Sequence, residues 1–299
     1  MLGTYDHKFV LPNGSQVFVP SALGRQVGTA MHAAVRRRWR PPRYFYHLRT
    51  GGHVGALSEH LHNLCFATLD ISRFFDSVTR AKIHRALRSI GIAHDRAWEI
   101  TQKSTVEKTL RQRDFSLPYG FIQSPVLASL ALDRSALGRA MRAIARSNHT
   151  RLNCYVDDVI LSGLEEEAVE DSRHALVAAA QRSGFILNAT KSQRPSSAIT
   201  AFNIVLSNGG LAVTEERMRV FEDAILSSGP VSVAAIIAYV RPINRGQADD
   251  LVKVARTSPD VEVRELAAGD RVASQPSRDP IWAHEISQVL SGDVRTSNP

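Results

Sequence analysis

Three aspartates carry the chemistry that this sequence suggests. Two are adjacent, in Tyr155-Val156-Asp157-Asp158. Leu152, Cys154 and Tyr155 lead in, and Val159, Ile160 and Leu161 lead out. That pattern predicts a strand, a tight acidic turn and a second strand. Adjacent carboxylates between buried strands concentrate charge that an apolar core does not tolerate unpaired. A divalent cation relieves it, and magnesium favours carboxylate oxygens while keeping positions for water and phosphate. Asp-Asp is equally a good turn pair that only solvates a hairpin, so this motif alone does not decide. Asp70 ends a further apolar run, Phe66-Ala67-Thr68-Leu69-Asp70-Ile71. Two strands delivering Asp70, Asp157 and Asp158 to one edge would make a three-carboxylate, two-metal site. Such a site aligns a nucleophile with a triphosphate and neutralises the leaving group.

The segments LDISRFFDSV, LPYGFIQSPVLASL, YVDD and GFILNATKS follow one another in this chain. Their order resembles the successive palm motifs of reverse transcriptases, most closely the shorter bacterial enzymes of the retron and abortive-infection or defence-associated groups. GGHVGALSEHLHN is similar to the fingers segment of such proteins. The resemblance spans roughly residues 20 to 245 and implies an α+β right hand, with an antiparallel palm sheet, basic fingers and a small helical thumb. It implies RNA-directed DNA polymerisation, with Asp70, Asp157, Asp158 and the backbone carbonyl of Ile71 holding two magnesium ions, or manganese in their place. Phe75 takes the position of the steric gate, the ring that excludes a 2′-hydroxyl. Tyr119, Gly120 and Gln123 fall beside the nucleotide, and Lys191 near the leaving phosphates. Many relatives have glutamine where this chain has Tyr119, which puts that glutamine's sugar contact in question. The resemblance implies basic fingers residues on the incoming triphosphate, for which Arg43 and Arg49 are the candidates by position.

The partners implied are a structured non-coding RNA template, a DNA primer and its product, and dNTPs. Homo-oligomers occur among such enzymes, and nothing in the sequence decides the point. Two rival readings stand beside templated synthesis: template-independent or protein-primed polymerisation by the same palm, and an RNA-binding scaffold with a relic palm. The residues left after the thumb are too few for a ribonuclease H, maturase or endonuclease domain, which points to a compact, defence-type enzyme.

The rest of the chain must position these residues. Its 299 residues suffice for two lobes, and 43% hydrophobic content fits a globular protein. A net charge of +8 suits a polyanionic partner. No apolar run approaches the length of a membrane span, and the N-terminus lacks a signal peptide, so a bacterial cytoplasm is expected. Cys65 and Cys154 read as small core residues.

The expected division is an N-terminal and fingers segment over 1–64, a palm over 65–213, and a helical thumb with tail over 214–299. A hairpin turning at Pro12-Asn13-Gly14-Ser15 comes first. A helix capped by Ser21 then runs to about Trp39 and stops at Pro41-Pro42. Arg36, Arg37 and Arg38 on it predict phosphate contact or a solvated helix end. Arg139 and Arg142 predict template contact or solvent exposure. His53, His60 and His62 predict RNA contact or capping. Asp76 reads as a helix-start residue. Residues 94–113 predict one helix, and Ser124 as cap with Pro125 at the first helical position opens a long helix to about Arg146. Residues 201–206 and 211–213 predict a hairpin, followed by helices to Ser227, over 231–240, over 247–256 and over 281–291.

Overall fold

The computed structural model describes residues 3–11, 14–109 and 114–257. It divides into two compact units between Ile199 and Thr200. The α+β class and the antiparallel sheet expected from the sequence are what the chain adopts.

The first unit is organised on a four-stranded sheet in the order Thr150–Tyr155, Asp158–Gly163, Cys65–Asp70, Gln193–Ser196, every pairing antiparallel. All six residues of Cys65–Asp70 are buried. A strand covered on both faces cannot alternate apolar and polar residues, and this one does not. The helix Glu166–Arg182 packs on the sheet through Val169, Leu176, Ala179 and Ala180. The helix Arg80–Ser89 buries Ile83, Ala86 and Leu87, an i, i+3, i+4 stripe. It packs on the helix Ser124–Asp133, which is buried at nine of its ten positions. Cys65 and Cys154 are free and buried.

Before this core, the strands Tyr5–Val10 and Gln16–Pro20 pair antiparallel; half of the expected turn, residues 12–13, lies outside the described residues. The helix Ala22–Arg38 is capped as expected, with Ser21 Oγ accepting from Gly24 N at 3.0 Å. Trp39 leaves it in an extended conformation ahead of the two prolines.

Three expectations need correction. Residues 94–113 are not one helix: His94–Ser104 is helical, then Val106–Thr109 is a strand paired with Asp114–Ser116. The β-branched Thr105 and Val106 favour the extended chain. The helix from Pro125 does not reach Arg146. Ser135 interrupts it and caps a second helix, Ala136–Ile144, accepting from Gly138 N at 3.1 Å and donating to Leu132 O at 2.7 Å. Ser124 is no cap either: it is the first helical residue, and the N-cap position falls to Gln123 without a side-chain bond.

The break at Ser135 places Gly138 against backbone. A Cβ there would lie 2.3 Å from Leu132 O and 2.5 Å from Asp133 Cα. Helix propensity favours Gly→Ala by about 1 kcal/mol, but atoms held on a neighbouring helix end cannot step aside. Gly138→Ala is therefore expected to destabilise, by about 3 kcal/mol, read as a fall in chemical-denaturation midpoint. A rise would mean that the two helices do not meet this closely.

The second unit opens on Phe202 and Asn203, both at positive φ (57° and 58°). The expected strand over 201–206 is thus turned at 202–203 and restarts as Ile204–Ser207. That strand pairs with Gly210–Val213 across Asn208 and Gly209. Three helices follow, Glu215–Ser227, Pro230–Val240 and Arg245–Thr257. Gln247 fastens the last to the hairpin, accepting from Val213 N at 2.7 Å and donating to Val213 O at 2.8 Å. The expected helix over 281–291 lies outside the described residues. Among the described residues no helix is long and apolar enough to cross a membrane.

Candidate active site

Strand register brings the aspartates together. Asp70, last residue of its strand, stands opposite Asp158, first residue of the next. Asp158 stands opposite Tyr155 on its other side, so Val156 and Asp157 form a two-residue hairpin loop. Residues opposite one another in antiparallel strands carry Cβ atoms ~5 Å apart on one face. Ile71 N donates to Asp157 O at 3.0 Å, which ties the loop to the strand bearing Asp70.

The charge of this edge is poorly compensated. Asp70 is 8% exposed, and Asp157 and Asp158 are partly buried. Burial, with Asp70 beside it, pushes Asp157 up to about 6. Burial, then Asp157 and Asp70, pushes Asp158 up to about 7. The cation at hand is Lys191, its Nζ 3.9 Å from Asp70 Oδ2 and its side chain 69% exposed.

The loop bearing Lys191 is built onto Asp70. Asn188 N donates to Asp70 O at 2.9 Å, and Ser192 Oγ accepts from Asp70 N at 3.2 Å. Asn188 Oδ1 accepts from Thr190 N and Oγ1, at 3.1 and 2.7 Å, an Asx-type turn that shapes the loop. Asn188 and Ser192 were not singled out by sequence, although the Asn-x-Thr spacing of such a turn is readable.

Does this edge suit a metal? Among the described residues, no three His, Cys, Asp or Glu side chains form a ready-made cage. The donor set is nonetheless oxygen-only, three carboxylates on one edge with the exposed Lys191 near Asp70. That chemistry fits a hard divalent ion that completes its shell with water and phosphate.

Phe75 and Tyr119 form a wall beside the edge. Phe75 is 6% exposed in the short helix Phe74–Ser77, and its ring meets Tyr119 edge-on at 4.7 Å. Burial, then Asp157, Asp76 and Asp70, pushes the Tyr119 hydroxyl up to about 12. Tyr119 O accepts from Phe18 N at 2.9 Å, so the N-terminal strand holds it in place. Phe74 is core, against Phe185. Asp76 pairs with Arg73 at 3.0 Å, in keeping with a structural role.

Other expected site residues lie elsewhere or serve other ends. Gln123 is 1% exposed, with Nε2 donating to Ser104 Oγ at 3.3 Å and Oε1 where a Cβ on Gly28 would fall; it fills the packing between helices and faces no nucleotide. Gly120, at φ +100°, lets backbone approach backbone, since a Cβ would sit 2.3 Å from Phe18 O. Arg142 pairs with the buried Asp133, which also accepts from Trp39 Nε1 at 3.1 Å. It neutralises a core charge and is not free for a template. Arg139 is exposed.

Arg49 donates to Arg43 O at 2.9 Å and lies over the Tyr46 ring at 4.4 Å. With Arg36, Arg40, Arg43, Trp39 and Phe45 it lines a cleft of about 350 Å³ that includes none of the three aspartates. Arg36, Arg37 and Arg38 are exposed in the last turn of their helix. His60 is fully buried: its Nδ1 meets Ser162 Oγ at 2.6 Å and its Nε2 meets Asn153 Nδ2 at 3.1 Å, so it serves neither RNA nor a cap. The rings of His47 and His53 each meet Tyr155 edge-on at 5.9 Å.

One conformation of consequence had no signal in the sequence. Val156 sits at φ +58°, where glycine is the favoured first residue of a tight hairpin loop. A β-branched residue there costs on the order of 1–3 kcal/mol. Val156 N donates to His47 Nδ1 at 2.9 Å, across 109 positions of sequence.

The profile of one family, described as reverse transcriptase (RNA-dependent DNA polymerase), matches residues 17–207. Among curated proteins no sequence matches. Among solved structures, the chain is similar to a telomerase from Candida albicans in complex with a TWJ fragment of telomeric RNA (TM-score 0.55, 9% identity, 95% of this chain and 59% of that one). It is also similar to a Candida tropicalis telomerase with the same kind of fragment (TM-score 0.50, 12% identity, 96% and 57%). A foamy viral protease-reverse transcriptase in complex with double-stranded DNA gives a TM-score of 0.47 at 16% identity, over 89% of this chain and 42% of that one. The chain thus spans about half the length of these proteins.

Proposed function

Because the chain belongs to the reverse transcriptase (RNA-dependent DNA polymerase) family, we propose that its carboxylate edge extends a DNA primer on an RNA template, consuming dNTPs. The observation that carries this reading is the register that sets Asp70 against Asp158 with Asp157 in the adjoining loop. Asp70, Asp157, Asp158 and the carbonyl of Ile71 are the groups to hold magnesium, or manganese. The ions would supply charge neutralisation at the transferring phosphoryl group and a lowered pKa for the primer hydroxyl. The protein's own part is positioning, the larger share of catalysis in phosphoryl transfer. Lys191 offers an exposed cation at the same edge for charge that develops on the leaving phosphates. The arginines of the fingers cleft suit nucleic-acid backbone better than the triphosphate. The test is extension of a labelled DNA primer annealed to RNA, with magnesium and all four dNTPs. Equal incorporation from a single dNTP without nucleic acid would replace this reading with untemplated synthesis.

The Phe75–Tyr119 wall supports selection of deoxynucleotides. Phe75→Ala would open space under the sugar while leaving the aspartates in register. The expected outcome is a fall in dNTP-over-rNTP selectivity by roughly 10²-fold, since a steric wall acts through differential binding. Single-nucleotide insertion kinetics with dNTP and rNTP measure it, and unchanged selectivity would remove Phe75 from the sugar pocket.

The finer reading is a compact bacterial enzyme of the cytoplasm that copies a structured non-coding RNA in antiphage defence. The order and wording of the palm motifs and the fingers segment support it. Sequencing RNA and DNA that copurify with the protein tests the template. Phage challenge of cells carrying the wild-type or Asp157→Asn protein tests the role, and equal protection by both would overturn it.

A further inference from the structure

The loop that carries Asp157 and Asp158 is held from outside the sheet, and the hydrogen bonds that hold it have one consistent direction. Ser129 Oγ donates to Pro125 O at 2.8 Å, which uses its only proton. It lies 2.6 Å from His47 Nε2, so it accepts there and Nε2 carries the hydrogen. Nδ1 of the same ring is then a bare lone pair, and the Val156 N–H points at it from 2.9 Å.

The segment around His47 is itself fixed beside the strand it serves. Cys154 N donates to Tyr44 O at 2.8 Å, and Phe45 bridges Cys154 in parallel. The imidazole stands edge-on to Phe45 and Tyr155, both at 5.9 Å. Burial, opposed in part by a backbone hydrogen bond with Cys154, holds it far down, at about 4, so the ring is neutral, as an acceptor must be.

We infer that His47 is a positioning residue for the catalytic loop: its Nδ1 captures the Val156 N–H, which keeps Val156 in the left-handed conformation that presents Asp157 and Asp158 to Asp70. The reach from Pro125 through Ser129 and His47 to Val156 also couples the start of the helix Ser124–Asp133 to the loop. Without that acceptor the hairpin register alone must hold a β-branched residue at positive φ, and the two carboxylates are held less firmly. The inference rests on the polymerase reading for its kinetic consequence, though not for its chemistry.

The experiment separates the two. Asparagine places its Oδ1 close to where histidine places Nδ1, and leucine offers no acceptor. His47→Leu is expected to lower kcat roughly 10- to 100-fold, the scale typical of groups that orient metal-binding carboxylates. The dNTP KM should stay within about 2-fold, and the magnesium concentration for half-maximal rate should rise. His47→Asn should recover most of kcat. Wild-type kinetics in His47→Leu, or equal loss in both variants, would overturn the inference.

A second measurement needs neither activity nor a folded variant. Long-range ¹H–¹⁵N correlation on the wild-type protein should find His47 protonated at Nε2 and bare at Nδ1, and the reverse tautomer would overturn it. If wild-type protein extends no primer while the Nε2–H tautomer is found, the polymerase reading fails and the anchoring of the loop stands.

Discussion

Asp157→Asn is expected to abolish primer extension, with a loss of at least ~10³-fold, the scale on which removing one charge-stabilising group slows phosphoryl transfer. Asparagine matches aspartate in size, and the contact that builds the loop uses backbone only, Ile71 N to Asp157 O at 3.0 Å. The fold and the affinity for an RNA–DNA duplex should therefore survive. What is lost is one negative oxygen donor of three, at an edge where the exposed Lys191 is the cation at hand. The neutral amide cannot replace it as a ligand for a hard cation. Extension rates are to be read beside circular dichroism and duplex binding. A mutant that folds, binds and still extends at the wild-type rate would remove Asp157 from the site and, with it, the proposed reaction.

The same three residues show why part of this site was legible in the sequence. Strands have a period of two, and a tight acidic loop between apolar runs fixes which residues share a face. Asp157 and Asp158 thus follow from local pattern, and the pairing with Asp70 follows once both runs are strands of one antiparallel sheet. Lys191 was legible only through the resemblance of GFILNATKS to a palm motif; the Asx-shaped loop that joins it to Asp70 was not.

What failed was the assignment of polar residues that pack inward. Gln123 and Arg142 are of types that contact nucleotides and phosphates, yet one fills a helix contact and the other neutralises Asp133. Residue type does not reveal whether a side chain faces solvent or a buried partner. The break at Ser135 was equally hidden, since a serine inside a helical pattern reads as tolerable until its hydroxyl is seen to cap. His47 gave no signal at all. Its role depends on a partner 109 positions away and on a loop conformation, positive φ at valine, that no propensity would suggest. Sites assembled from the sheet period were visible, and those assembled by long-range hydrogen bonds were not.

Metal-free protein should carry the cost of its own active site as a stability that falls with rising pH. Asp157 and Asp158 lose their protons near 3.8 when unfolded but hold them to about 6 and about 7 when folded. Between those values the folded state binds more protons. Stability from these groups is fully present below about 3.8 and is lost as pH rises through 6 and 7. His47 and His60 act in the opposite sense. Burial lowers them from 6.5 to about 4 and about 3, so they withdraw stability as pH falls below 6.5. The raw pH profile mixes both effects, and the difference between wild type and Asp158→Asn isolates the carboxylates because the histidines cancel. For Asp158 the rise from 3.8 to about 7 corresponds to about 4 kcal/mol. In EDTA, Asp158→Asn should therefore be the more stable protein at pH 8 by about 4 kcal/mol, or roughly 8–16 °C in melting temperature, and indistinguishable at pH 4. Magnesium should raise the wild-type melting temperature at pH 8, where the carboxylates are ionised, and raise it far less at pH 5 or in the mutant. If Asp158→Asn melts at or below the wild-type temperature at pH 8 without metal, burial and the neighbouring carboxylates do not penalise the charge on Asp158, and the case for an ion between them loses its electrostatic ground.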